Sequence, residues 1–425
     1  MSETVHRIQC SALFKLAPAE REAEVRLQVL KTARAACAIG AALLASACGP
    51  TGGGFGSSTA PLSAPTTPVE ASGLTAPIGS GSTKVALILP LTQGSGPSSV
   101  GQSMRNAAEL AVAETGATGV TLIVKDDMSS AEGARAAAQA AIAEGAELII
   151  GPLYAPNVRE VGRIARASNT PVIGFSTDSS TAARGVYLLS FLVESYVDRI
   201  VDFSISKGKK SFAALVPESD YGNVALAELQ QIAAKRGVRV QAIERYKPGA
   251  AAAAVKKISE SLSQADALFI PDQAEAMVQI SQALTANGID GKRVQILGTG
   301  LWNDARVLRL PALQGAWFAA PENGGFNAFA GRYREKYGSD PTRISTLAYD
   351  AVSLASALAR TQGQGQRFTD NVLTNSSGFN GADGVFRFGG DGLNERGLSV
   401  LSIANGSTNV VSPAPRSFGA APSGT

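Results

Sequence analysis

The chain has 425 residues, 45% hydrophobic and 17% charged, with a formal net charge of +3. At roughly 150 residues per domain, this fits two globular domains with a sizeable core. The small charge and the lack of a long Lys/Arg run leave no footprint for nucleic acid. Cys10, Cys37, Cys48 and the single histidine, His6, all fall in the first 48 residues. The remainder therefore has no disulfide scaffold, thiol catalysis or Ser-His chemistry, and no cysteine or histidine metal site.

Residues 35–47 are apolar and small, and they follow Arg26, Lys31 and Arg34. The run is too short for a bilayer-spanning helix, which needs about 20 residues, and reads as a secretory signal. Glu20, Glu22 and Glu24 make the preceding segment too acidic for a signal's charged start. Translation is therefore expected to begin at Val25 or Val29, which the intact mass of the precursor would test. Residues 49–82 are rich in Gly, Ser, Thr, Pro and Ala. They predict a flexible tether with a span on the order of 30 Å.

The folded body opens with a strand over 84–91. A helix over 100–112 carries Met104, Ala107, Ala108 and Ala111 on one face. A strand over 120–125 ends at Asp126-Asp127, two solvated caps. Ser129-x-x-Glu132 then reads as a capping box for a helix ending near 143. A strand over 147–150 stops at Gly151-Pro152. Val158, Val161, Ile164 and Ala165 recur at helical spacing, and Pro171 ends that helix. A strand over 172–175 leads into the polar turn Ser176-Thr177-Asp178. Alternating strands and helices imply a parallel sheet covered on both faces. Its strand C-termini share one edge, where open α/β sheets bind ligands. Tyr154, Ser176 and Thr177 would meet there.

After a strand over 186–192 and an amphipathic stretch over 196–206, a second array begins. Its strands cover 211–216, 238–243, 267–270 and 294–297; its helices cover 224–234, 251–262 and 273–286. Gly145-Ala146-Glu147 and Gln264-Ala265-Asp266, each followed by an apolar run and a proline, give a faint echo between the arrays. A strand over 315–320, helices over 326–337 and 344–361 and a short helix over 368–373 follow. Residues 385–388 and 398–403 predict a closing hairpin, and the tail after Asn405 is expected to fray.

Several stretches in this order resemble type 1 periplasmic binding proteins, the group of the Leu/Ile/Val-binding proteins. They are V-A-L-I-L-P-L-T at 85–92, G-P-L-Y at 151–154, P-V-I-G-F-S-T at 171–177, D-Y-G at 220–222 and Y-D-A-V at 349–352. Further stretches are similar to bacterial penicillin-binding-protein activator lipoproteins. These are L-G-T-G-L-W at 297–302, F-A-G-R-Y at 329–333 and F-R-F at 386–388. Ala45-Ser46-Ala47-Cys48-Gly49 resembles a lipobox, which implies lipidation of Cys48. The sequence departs from the best-known activators in that no N-terminal helical-repeat domain is expected within it.

The resemblance implies two doubly wound Rossmann-like α/β lobes with parallel sheets, joined by three crossovers. Lobe 1 would take 84–187 plus 321–373, and lobe 2 would take 188–320 plus 374–405, with 406–425 a disordered tail. It further implies a non-enzymatic binding protein without cofactor or metal. The expected location is the periplasmic face of a bacterial membrane, by preference the outer one, with a lipid anchor. A small polar ligand, an amino acid or amide, would lie between the lobes, and the partner would be an ABC permease. The alternative partner is a penicillin-binding protein, with the chain regulating peptidoglycan synthesis.

Candidate ligand residues are Thr92, Gln93, Tyr154, Ser176 and Thr177 on lobe 1, and Tyr221, Asp272 and Trp302 on lobe 2. In amino-acid-binding relatives, first-lobe turns hold the α-carboxylate through backbone N–H and Ser/Thr hydroxyls. Ser176 and Thr177 match such a turn. Tyr154 stands where relatives have a small polar residue. Asp272 is placed to meet an ammonium, although Asp272-x-x-Glu275 also reads as a capping box. Trp302 is either a cleft wall or a packing residue near the hinge.

Overall fold

The computed structural model describes residues 71–116 and 119–419. The expected signal, Cys48, most of the tether and residues 420–425 lie outside them.

A helical turn, α1 (Ala71–Leu74), precedes β1 (Thr83–Leu89). Val85, Leu87 and Leu89 face one core cluster, and Ala86 and Ile88 face another. A strand apolar on both sides must be covered on both sides. The small ribbon β2 (Thr92–Gln93) and β3 (Gly96–Pro97) leads to α2 (Ser99–Thr115). Then come β4 (Val120–Asp126), α3 (Ala131–Ala143), β5 (Leu148–Ile150), α4 (Ala155–Ala167), β6 (Val172–Gly174) and β7 (Val186–Leu188). The parallel sheet has the order β4-β1-β5-β6-β7. Helices α3 and α4 cover one face, and α2 covers the other.

The second lobe follows with α5 (Val193–Ser206), β8 (Ser211–Pro217), α6 (Asp220–Arg236) and β9 (Arg239–Tyr246). Then come α7 (Ala251–Ser259), β10 (Ala267–Phe269), α8 (Ala274–Ala286), β11 (Gln295–Gly298), α9 (Ala305–Leu308) and β12 (Trp317–Ala320). The chain returns to the first lobe as α10 (Asn323–Tyr337), α11 (Ser345–Thr361) and α12 (Asp370–Leu373). Leu347, Val352 and Leu358 of α11 pack beside α2 in the first-lobe core. A small sheet of β13 (Phe379–Gly381), β14 (Gly384–Phe388) and β15 (Asn394–Arg396) comes next. Finally β16 (Ser399–Ala404) and β17 (Ser407–Ser412) join the second sheet, whose order is β17-β16-β12-β11-β10-β8-β9.

The five parallel strands of each sheet repeat one winding, 2-1-3-4-5 in order along the chain. Strand order therefore reverses between β1 and β5 in the first lobe and between β8 and β10 in the second. Such switch points open a crevice at the strand C-termini.

Four sequence expectations need correction. The end of the tether is not free: Ile78 is buried and bridges Leu122 of edge strand β4, and Arg105 Nε donates to the Leu74 carbonyl at 2.7 Å. One apolar residue, Ile78, thus pairs part of an otherwise open edge. The hairpin of 385–388 with 398–403 does not form. Instead β14 pairs with β15, while β16 pairs with β12 and β17. Phe386 and Phe388 are buried in the first-lobe core, so residues 379–396 pack there and not with the second lobe. The tail is ordered through β17, and the Phe418 ring lies 4.5 Å from the Arg387 guanidinium. Finally, the N-cap of α3 is Ser130, whose Oγ accepts from Gly133 N, and not Ser129.

The L-G-T-G-L-W stretch is a packing device. A Cβ on Gly298 would fall 2.1 Å from the Trp302 indole, and one on Gly300 would fall 2.5 Å from the Tyr196 ring. Gly298→Ala is expected to overpack the second-lobe core at a cost of about 1–3 kcal/mol. A lower urea midpoint with an unchanged slope would show it; an unshifted midpoint would contradict this packing role.

Candidate functional site

The first-lobe edge is built on two adjacent aspartates. Asp126 Oδ1 accepts from Leu91 N at 3.0 Å and Met128 N at 2.8 Å, and its Oδ2 accepts from Thr92 Oγ1 at 2.6 Å. Asp127 is fully buried and accepts from Ser129 N and Asn157 Nδ2, each at 2.8 Å. Burial pushes the Asp127 carboxyl above its ordinary value, against the pull of those hydrogen bonds. The pair thus ties the loop after β1 to the end of β4. It is not the solvated pair expected from sequence.

Gly151, with φ +92°, lets the turn after β5 pass under β1: a Cβ there would meet the Ile88 carbonyl oxygen at 2.0 Å. The turn delivers Tyr154, half-buried, to the start of α4 without a side-chain cap bond. Ser176 is buried and its Oγ accepts from Asp178 N at 3.0 Å, so it braces the turn. Thr177 and Gln93 are exposed on the same edge.

On the second lobe, a cavity of about 480 Å³ lies at the C-terminal ends of β8, β9 and β10. It is centred on the β8/β10 switch point. Tyr221 and Asp272 both line it, together with Tyr246, Glu218 and Leu301. Tyr221 Oη donates to Thr299 Oγ1 at 2.7 Å. Burial pushes the Tyr221 phenol up, so it stays a donor across the working pH range. Tyr246 Oη donates to Asp272 Oδ2, while Asp272 Oδ1 accepts from Gln273 N at 2.7 Å. Burial first, and then that carboxylate, push the Tyr246 phenol up as well.

The expected capping box is not formed, because Gln273 is the N-cap of α8 and makes no side-chain cap bond. Glu275 instead pairs with Arg306 at 2.7 Å. Trp302 is also corrected. It is fully buried in the second-lobe core, 6.4 Å from the Phe318 ring, and is not a wall of the cavity. The structure thus brings Tyr221 and Asp272 into one cavity and leaves the five first-lobe candidates along their own edge. Sequence reasoning missed Tyr246 because the β9 strand was ended at 243, three residues short.

The three crossovers meet at a polar cluster whose centre, Ser190, Asn394, Arg396 and Ser399, is buried. Ser190 N donates to Asn394 Oδ1 at 3.2 Å, and the Ser190 carbonyl accepts from Asn394 Nδ2 and Arg396 Nε, each at 3.1 Å. Ser399 Oγ donates to Glu322 Oε1 at 2.6 Å. The Phe191 ring lies 4.8 Å from both the Arg343 and the Arg396 guanidinium. Arg343 holds Asp383 in a two-pronged pair at 2.8 and 2.6 Å. Asp350 accepts from Ala382 N at 2.6 Å through Oδ1, and its Oδ2 has no partner among the described residues. No sequence signal marked these residues as a group, since they come from segments far apart in the chain.

Among the described residues no group of three or more His, Cys, Asp or Glu could hold a metal ion. No described helix is long and apolar enough to cross a membrane.

A family model described as periplasmic binding protein matches residues 82–408. The chain belongs to that family, and the family places it outside the cytoplasm. No curated protein matches the sequence significantly. Among solved structures, a candidate branched-chain amino acid ABC transporter from Rhodospirillum rubrum aligns with TM-score 0.70 at 19% identity, covering 77% of this chain and 99% of that one. The branched-chain amino acid substrate-binding protein of Streptococcus pneumoniae, in complex with isoleucine, aligns with TM-score 0.55 at 20% identity over 78% and 99%. An ABC transporter solute-binding protein of Rhodopseudomonas palustris, in complex with 3,4-dihydroxybenzoic acid, gives 0.58 at 20% over 80% and 98%. At these identities the likeness is one of fold.

Asp350 yields a pH test. Burial pushes its carboxyl up to about 7, against the pull of Arg396 and Arg343 and with Asp383 adding to the rise. A carboxyl bound more tightly to its proton when folded stabilises the fold at low pH, and that contribution is lost as pH rises from about 4 through 7. Asp350→Asn keeps the Oδ1 acceptor and should remove this slope. Its stability relative to the native chain should rise between pH 4 and pH 8 by on the order of a few kcal/mol. Urea melts at both pH values would reveal parallel curves if Asp350 titrates normally.

Proposed function

We propose that this chain is the solute-binding component of an ABC-type importer, closing its two lobes on a small polar ligand of amino-acid or amide size. The observation that carries the reading is the cavity at the β8/β10 switch point, where Tyr221 and Asp272 converge. It faces the strand edge at which open α/β sheets take ligands. The isoleucine and dihydroxybenzoate complexes of the two relatives add support, since both ligands are small and polar. On this reading Cys48 carries the lipid anchor, and the stretch after it keeps the body near a permease on the periplasmic face. The protein is a binder and not an enzyme.

Closure needs a ligand that prefers the closed state, and such a ligand also raises stability. At about 100-fold excess over Kd the gain is roughly 2.7 kcal/mol. A thermal-shift screen of the full chain against amino acids, amides, amines and small aromatic acids should return one responding class. Thr177→Ala and Tyr221→Phe should each reduce that response. A flat result across the whole panel would end the solute-binding reading. The remaining candidate would then be a lipoprotein acting on a penicillin-binding protein, to be sought by pull-down.

A further inference from the structure

We infer that the second-lobe cavity is selective for a monocation with an apolar body, an aralkylamine in chemical class, and not for a carboxylate or a zwitterionic amino acid. This rests on the solute-binding reading and sharpens it to a ligand type.

The walls are apolar and aromatic: Tyr221, Tyr246, Pro248, Pro271 and Leu301. The volume of about 480 Å³ lies within the roughly 300–1,000 Å³ usual for small-ligand sites, so a phenyl-sized body fits. The charged lining residues are Glu218, Asp272 and Glu275, and no lysine or arginine lines the cavity. Only Glu275 is neutralised, by Arg306. Glu218 and Asp272 form no ion pair with the described residues, so two carboxylates face the cavity uncompensated. Asp272 is held in place from both sides, by the Tyr246 hydroxyl and by Gln273 N. It is a fixed acceptor and not a floating surface charge.

One effect opposes this assignment. The N-termini of α6, α7 and α8 point toward the cavity, and each carries a partial charge of about +0.5, which favours an anion. Much of that field is already met. Ser219 Oγ accepts from Gly222 N, and Asp220 and Glu275 sit in the first turns of α6 and α8. Asp272 occupies Gln273 N. Two carboxylates without a counter-ion, the exposed Glu218 and the half-buried, hydrogen-bonded Asp272, outweigh what remains. An ammonium at Asp272 would sit beside the aromatic walls made by Tyr221 and Tyr246. A carboxylate brought into the same space would meet Glu218 and Asp272 and no basic side chain.

The test is isothermal titration of the full chain with four probes of one shape: phenethylamine, 2-phenylethanol, 3-phenylpropionate and L-phenylalanine. Phenethylamine is expected to bind at least tenfold more tightly than the other three. Asp272→Asn should weaken it at least tenfold, and Glu218→Gln, an exposed and conservative change, should weaken it severalfold. Ligand-free melting of each variant confirms that it folds. If 3-phenylpropionate or L-phenylalanine binds as well as phenethylamine, or if both variants retain native affinity, the cation assignment is wrong while solute binding stands. If no probe and no member of the thermal-shift panel binds, both readings fall.

Discussion

The lobes depend on one buried arginine. Arg396, at the end of β15 beside the third crossover, is 6% exposed. It donates through Nε to the carbonyl of Ser190 in the first crossover. Its two terminal nitrogens and Asp350 Oδ2 have no hydrogen-bond partner among the described residues. A buried charge is costly unless paired, and Arg396 lies close enough to Asp350 to pull that carboxyl down against the effect of its burial. This leaves the junction under-satisfied in the arrangement seen. A hinge that rotates needs contacts that can be exchanged, and unused donors beside an unused acceptor supply them. Phe191, between two guanidiniums, ties the first crossover to both Arg343 and Arg396.

Much of the architecture was legible in the sequence because it rests on periodicity. Apolar runs of strand length alternated with helical spacings, and prolines and glycines marked the ends. The faint echo between the two arrays corresponds to a real repeat, since both sheets wind in the same order. What failed were choices governed by tertiary context. Residues 379–404 contain four strands joined by short turns, and local pattern does not say which neighbour each one pairs with. The answer lay in Phe386 and Phe388, which the first-lobe core buries. Likewise Ile78 is one apolar residue in a polar stretch, and only the open edge of β4 gives it a place to go.

The site was legible in a different measure. Switch-point reasoning pointed to the turns at the strand ends, and Tyr221 and Asp272 share a cavity there. Residue type alone did not separate ligand contacts from structural ones. Thr92 and Ser176 have the hydroxyls a carboxylate would want, yet in the structure Asp126 and the Asp178 amide engage them. Trp302 has the size of a cleft wall, yet Gly298 leaves room for its indole under the strand.

These internal bonds make the two edges unequal. On the first lobe Asp127 is buried, and both aspartates are engaged by hydrogen bonds from the surrounding loops, so that edge presents mainly Gln93, Tyr154 and Thr177. On the second lobe Glu218 and Asp272 remain without counter-charges beside an apolar wall. A ligand would therefore gain most of its attraction from the second lobe and meet the first as a neutral, hydrogen-bonding lid. Closure then depends on differential contact with that lid. On the proposed reading, affinity and closure would be separable, the first carried by charge on one lobe and the second by hydrogen bonding from the other.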